Sequence, residues 1–149
     1  RAEAAAQDIA ALGYRVSVAG STREIGQRCN LIVTTTASRE PVLLDADVRP
    51  GTHITAMGSD THEKIELEPA LVRRADVVVV DSHPQSHERG EVFQASAHDR
   101  AVELGAIISG HAKGRSDGQQ ISVADLTGVA AQDIAIAEAI YRRALCHST

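Results

Sequence analysis

The sequence predicts an α/β domain organised on a mostly parallel sheet with helices on both faces. Three observations point there. Runs such as Asn30–Thr36 (NLIVTTT) and Asp76–Asp81 (DVVVVD) are β-branched and nearly continuous, as in strands buried on both faces. These runs alternate along the chain with helix-patterned stretches, the order that builds layers around a parallel sheet. Aromatic residues are 2% of 149 and Trp is absent, so the 43% apolar content must form an aliphatic core of Ala, Val, Ile and Leu.

The elements follow in order. Arg1–Leu12 carries Ala2, Ala5, Ile9 and Leu12 on one stripe, an amphipathic helix that Gly13 can end. Tyr14–Ala19 alternates and reads as a strand; Thr22–Arg28 reads as a short helix or turn. Asn30–Thr36 is a buried strand, Ala37–Glu40 a loop, and Pro41 excludes a helix there. Asp45–Val48 allows at most one helical turn, and Pro50-Gly51 is a turn into the strand Thr52–Met57. Glu68–Ala75 is a short helix with Pro69 at its first position, followed by the central strand Asp76–Asp81. Ser86–Leu104 is expected to be helical with a break near Gly90, and Gly105 to end it; Ile107-Ile108 is a short apolar piece. Gly110–Gln120 is a loop, Ile121–Leu126 a strand, and Gly128 turns the chain into a last helix, Val129–Leu145. The expectation is one domain, or most of one, with four or five buried strands.

Composition narrows the function. A net charge of −5 argues against nucleic acid or an anionic membrane as partner. No apolar run approaches the ~20 residues of a membrane span, and no signal peptide is visible. Cys29 and Cys146 sit in no metal-binding spacing, which suggests reduced thiols in a cytoplasmic protein. The chain opens at Arg1, without Met and inside a helix pattern, so a piece of a longer protein is expected.

The stretch Thr52–Leu67 (THITAMGSDTHEKIEL) organises the functional reading. A short strand runs into Met57, Gly58 and Ser59, then Asp60, with Lys64 four residues on. Ligands of open parallel sheets bind at the carboxyl ends of strands, so a carboxylate delivered there is a candidate for chemistry. Asp60-x-x-Glu63 is equally a capping-box pattern, which would make Asp60 a helix cap. Two other strand ends resemble this one: Asn30–Thr36 closes in Thr-Ala-Ser, and Ile121–Leu126 in Thr127-Gly128. Right-handed crossovers would open all three on one edge, the profile of a nucleotide-binding half-domain. The G-x-G-x-x-G fingerprint that should follow the first strand is missing, and would lie upstream of Arg1.

At this point the residues resemble a family. Val33–Val42 (VTTTASREPV), Pro50–Asp60 (PGTHITAMGSD), Lys64–Leu67, Asp76–Ser82, Gly90-Glu91 and Ile121–Asp133 together are similar to the ornithine cyclodeaminase/mu-crystallin family, over roughly Arg1 to Ala144. The resemblance implies residues 1–149 as a partial Rossmann-like NAD(P)-binding domain with a C-terminal helix. The first strand and Gly-rich turn are missing, and the substrate and dimerisation domain is absent. It implies Asp60 as catalytic carboxylate, Thr36, Met57, Gly58, Ser59, Lys64 and Leu126 as cofactor contacts, and Thr127 as a substrate contact. NAD or NADP would be the cofactor, a small amino acid or cyclic imine the substrate, and a homodimer the full-length state. The implied activity is an NAD-dependent cyclodeaminase of ornithine type: oxidation at Cα, cyclisation, ammonia release and hydride return. Alternatives are an imine or ketimine reductase, an amino-acid dehydrogenase, or a non-catalytic NADP or small-ligand binder of the mu-crystallin kind. The fragment alone is expected to be inactive. One departure is His62-Glu63 before Lys64, where many members have Gly.

Simpler readings stand beside these. Lys64 could only pair with Asp60, and Thr127 could only cap the last helix. His83 and His87 are i, i+4, but Pro84 intervenes and no third ligand is near, so no metal is expected. Arg73-Arg74 and Arg142-Arg143 read as solvated helix ends, Asp133 is given no role, Cys29 is expected to be buried and Cys146 exposed.

Overall fold

Five short apolar runs pair into one parallel sheet: β1 (Leu31–Thr34), β2 (His53–Ala56), β3 (Val77–Val80), β4 (Ala101–Glu103) and β5 (Ser122–Asp125). The computed structural model describes residues 1–146, the side chain of Cys146 excepted. The strand order is β1-β2-β5-β3-β4, every pairing parallel. Helices α1 (Ala2–Ala11), α2 (Thr22–Arg28), α3 (Pro69–Arg74), α4 (His83–Ser86), α5 (Glu91–Ala95), α6 (Leu104–Ile108) and α7 (Ala130–Cys146) complete the chain.

Strand alternation decides which side chains meet which layer. Ile32, Ile54, Val78, Val80 and Val123 point to one face and join Leu71 and Val72 of α3 and Val92 of α5 in the aliphatic core. His53, Thr55, Val77, Val79, Ser122 and Ala124 point to the other, toward Leu104 and Ile107 of α6. β1 is an edge strand among the described residues. Its Leu31 and Val33 side chains are 64% and 57% exposed.

Most expected elements are present within one or two residues of their ends. Four expectations are corrected. Tyr14–Ala19 forms no strand; it runs unpaired, with Tyr14 67% and Val18 49% exposed. Alternation supplies a pattern, but a strand exists only through ladder bonds to a neighbour, and none of the described strands lies beside it. The stretch Ser86–Leu104 is not one broken helix. Gly90 does interrupt it, at φ +91°, but Ser96 in the left-handed region (φ 51°) ends α5 early. Ala101–Glu103 then pairs with β3 as a strand, because tertiary pairing outranks local helix preference. Gly105 ends no helix; it lies inside α6, which takes in Ile107-Ile108. Cys29 is exposed, because it follows α2 at the surface instead of entering the core. The expectation for Cys146 falls on a side chain outside the described residues.

The paired arginines of α3 are clamps more than solvated ends. Arg74 forms an ion pair with Asp45 and donates to the Asp45 and Val48 carbonyls at 2.8 and 3.1 Å. Arg73 donates to the Ala95 carbonyl at 3.2 Å. Together they tie α3 to the Asp45–Asp47 turn and to α5. In α7, Arg142 pairs with Glu138 at 2.5 Å.

Candidate active site

Because all strands run the same way, the segments after β1, β2 and β5 leave the sheet at one rim, and these three strands are adjacent. The ladder continues one step past the strand ends: Met57 N donates to Thr34 O at 3.0 Å, and Leu126 N to Ala56 O at 2.9 Å. Thr36, Met57–Asp60 and Leu126-Thr127 are thereby brought to the same edge, as the three strand ends led one to expect.

After β2 the chain makes a narrow bend. Gly58 is forced by crowding: a Cβ there would collide with the Thr36 carbonyl and meet the Glu66 carboxyl carbon at 2.5 Å. Met57 is 49% exposed on the rim, whereas Ser59 is buried, its hydroxyl donating to Lys64 O at 2.6 Å. That bond closes residues 59–64 into a compact loop. No helix begins at Asp60; a turn with Lys64 N on Thr61 O follows, so the capping-box reading fails. Glu63 instead pairs with Arg39 at 2.8 Å.

Asp60 stands on this loop with its side chain 51% exposed, and Lys64 Nζ donates to its Oδ1 at 2.6 Å. This hydrogen bond, with the nearby Arg89 charge adding to it, holds the Asp60 carboxyl below its ordinary pKa. It is a carboxylate at neutral pH, able to accept a proton.

Beneath the rim lie further acids to which the residue pattern attached no role. Glu66 is fully buried. Its Oε2 accepts from Thr34 Oγ1 at 2.6 Å and Gly58 N at 2.8 Å, and its Oε1 from Thr36 N. Burial pushes its pKa up, but these bonds outweigh it and the carboxyl stays ionised below its usual range. Glu91, also fully buried, accepts from Glu66 N at 2.8 Å and Leu67 N at 3.0 Å. Burial raises it to about 7 in spite of those two amides. Asp125 ends β5 and accepts from Val92 N at 2.8 Å, while its Oδ1 is buried without a partner. Burial raises it to about 6. Asp81, past β3, accepts from Gly128 N at 2.6 Å and Thr127 Oγ1 at 3.3 Å. Thr127 is thus tethered to Asp81 and its hydroxyl is turned away from a capping role. In the sequence these acids all fall in stretches that carry the family resemblance, but nothing local sets them apart from surface carboxylates.

The histidines form no such cluster. His83 Nε2 bonds the Ala101 carbonyl at 2.9 Å and His87 stacks on His98 at 4.2 Å. Among the described residues no three His, Cys, Asp or Glu side chains converge to hold a metal.

A parallel sheet whose adjacent strand ends gather small residues and a carboxylate at one rim is a Rossmann-like arrangement. Solved structures agree. The iminosuccinate reductase of Paracoccus denitrificans, in complex with NAD+, superposes with a TM-score of 0.89 at 36% identity, over 98% of this chain and 46% of that one. The Δ1-pyrroline-2-carboxylate reductase of Thermococcus litoralis, with NADH and L-proline, gives 0.90 at 28% identity, over 99% and 48%. By sequence, the Paracoccus reductase is 41% identical over 121 residues, 78% of this chain and 37% of its own length. The alanine dehydrogenase of Archaeoglobus fulgidus is 36% identical over 136 residues, 87% and 42%. The chain belongs to the ornithine cyclodeaminase/mu-crystallin family, whose model matches residues 1–148. It spans less than half the length of each of these relatives.

Proposed function

We propose that this chain is the NAD(P)-binding part of an enzyme that interconverts a small α-amino acid and its imine, with Asp60 as the proton-accepting group. The observation that carries the reading is Asp60 itself: a half-exposed, ionised carboxylate at the end of β2, flanked by the ends of β1 and β5. The rim's makeup fits a dinucleotide. Residues 57–59, 127 and 128 are Met, Gly, Ser, Thr and Gly, uncharged and mostly small side chains at the strand ends where a dinucleotide would lie. Thr36, Met57, Gly58, Ser59, Lys64 and Leu126 would hold the cofactor and Thr127 the substrate.

When bound, NAD(P) supplies the hydride acceptor or donor at the substrate Cα. The protein's part is proton handling and orientation. Asp60 takes a proton from the substrate ammonium, leaving an amine whose lone pair can assist loss of hydride; in the reverse direction it returns the proton. Lys64 keeps Asp60 ionised until substrate arrives. The residues that grip the substrate carboxylate, and the dimer, would belong to the rest of the full-length protein, and residues 1–149 alone would then be inactive. A cytoplasmic location accords with such metabolism.

The similarity to a reductase and a dehydrogenase, at 41% and 36% identity, favours net oxidation or reduction. Ornithine cyclodeamination, in which the hydride returns to the product, is the second reading, supported by the family itself. The assay is made on the full-length protein. Net NADH consumption with a cyclic or acyclic imine supports the first, and ammonia release from ornithine without net absorbance change at the NADH wavelength supports the second. Cofactor binding without turnover of any amino acid or imine would overturn both in favour of a binding protein.

A further inference from the structure

The bend that carries Asp60 is closed on itself by Ser59 and Lys64, but it is fixed to the sheet from outside. Gly58 and Thr36 belong to segments that leave two different strands, and both hand their backbone N–H to one buried side chain, that of Glu66. The Thr34 hydroxyl, at the end of β1, supplies a third bond at 2.6 Å. Crowding reinforces the junction, because the Gly58 Cα is pressed against the Thr36 carbonyl and the Glu66 carboxyl. Glu66 is itself fixed. Its N–H is held by Glu91, and its carbonyl accepts from Val42 N and Leu43 N at 2.7 and 3.1 Å. An acid in this setting neither meets solvent nor reaches the open rim.

We propose that Glu66 is the positioning residue of the site: its carboxylate staples the Thr36 segment to the Gly58 bend, and so sets the spacing of the two edges between which the dinucleotide lies. This rests on the rim being the NAD(P) site. An ionised carboxylate suits the task because it is acceptor-only, with lone pairs for all three donors. Glutamine matches its volume but offers one oxygen. If that oxygen serves Thr34 and Gly58, as Oε2 does now, the amide NH2 faces the Thr36 N–H and that bond is lost.

The test uses the full-length protein with Glu66→Gln and, as a milder change, Thr34→Val, which removes one donor and leaves the carboxylate. In wild type the Thr36 amide proton should resonate downfield, as a donor to a carboxylate, and exchange slowly. In Glu66→Gln that signal should move upfield and exchange faster, and NADH binding should weaken about tenfold to a hundredfold, with kcat at saturating cofactor changed far less. Thr34→Val should weaken NADH several-fold in the same direction; it carries the test should Glu66→Gln not fold. An unmoved Thr36 signal, or NADH affinity unchanged in the variants, overturns the staple. Wild type that binds neither NADH nor NADPH sinks the underlying reading of the rim instead, a failure visible before any variant is made.

Discussion

Lys64 Nζ lies 2.6 Å from Asp60 Oδ1, across the 59–64 loop closed by the Ser59 hydroxyl on the Lys64 carbonyl. The loop makes the pair a fixture of the bend, although both groups reach solvent. A base already bonded to an ammonium is weak. Its basicity would grow if Lys64 turned to another anion, such as a phosphate of a bound dinucleotide, and binding and activation of Asp60 would then be linked.

Asp60→Asn should lower turnover by about a hundredfold to ten-thousandfold with the melting temperature close to wild type, and NADH should bind no weaker, because the change frees Lys64 from its ion pair. Steady-state rates beside a cofactor titration check it. Turnover within a few-fold of wild type would remove Asp60 from the chemistry.

Lys64→Met should let the Asp60 carboxyl rise toward its ordinary value. The acid limb of the kcat/KM profile of the free enzyme should shift to higher pH, and stability should change by less than about 1 kcal/mol, because the pair is solvent-exposed. A pH–rate profile reads the shift.

Gly58→Ala should cost about 1–3 kcal/mol of stability, since the added methyl must displace the Thr36 carbonyl or the Glu66 carboxyl, both within a packed interior. Cofactor affinity should fall as well. Denaturant unfolding with and without NADH separates the two effects.

Stability should decline as pH rises from about 4 to 7. Glu91 and Asp125 are raised in the folded protein to about 7 and about 6, so between the unfolded values and these the native state binds more protons than the unfolded chain. Their favourable contribution is complete below the unfolded values and is lost as pH climbs through the folded ones. For Glu91 alone this is roughly 3 kcal/mol. Glu66, lowered, works in the opposite sense: its contribution is present above its unfolded value and fades in stronger acid. Stability is then greatest near the unfolded carboxyl values, about pH 4, and Glu91→Gln should flatten the decline above them. Urea unfolding across pH 4–8 tests both.

Much of this was legible in the residues. DVVVVD could only be a central strand, and the three Thr- and Gly-bearing strand ends did converge on one rim, because parallel topology leaves them nowhere else to go. What escaped was whatever depends on contacts distant in sequence. Glu66 gains its role from Thr34 and Thr36, some thirty residues earlier. Ala101–Glu103 looked helical until β3 lay beside it, and Tyr14–Ala19 looked like a strand for want of any way to see that no strand pairs with it. Asp60-x-x-Glu63 mimicked a cap because the same residue types serve turns and helix starts; Ser59 bonding to Lys64 decided between them. Arg73-Arg74 showed charge but not the carbonyls it would clamp.

The outer flank of β1 carries a last consequence. There the main-chain groups of Leu31 and Val33 face away from β2 and meet no described strand, beside their own half-bare aliphatic side chains. Such a flank templates addition of another strand. Concentrated samples of residues 1–149 should self-associate edge to edge, and Val33→Lys should shift sedimentation toward the monomer, so the apparent mass in solution should climb with concentration.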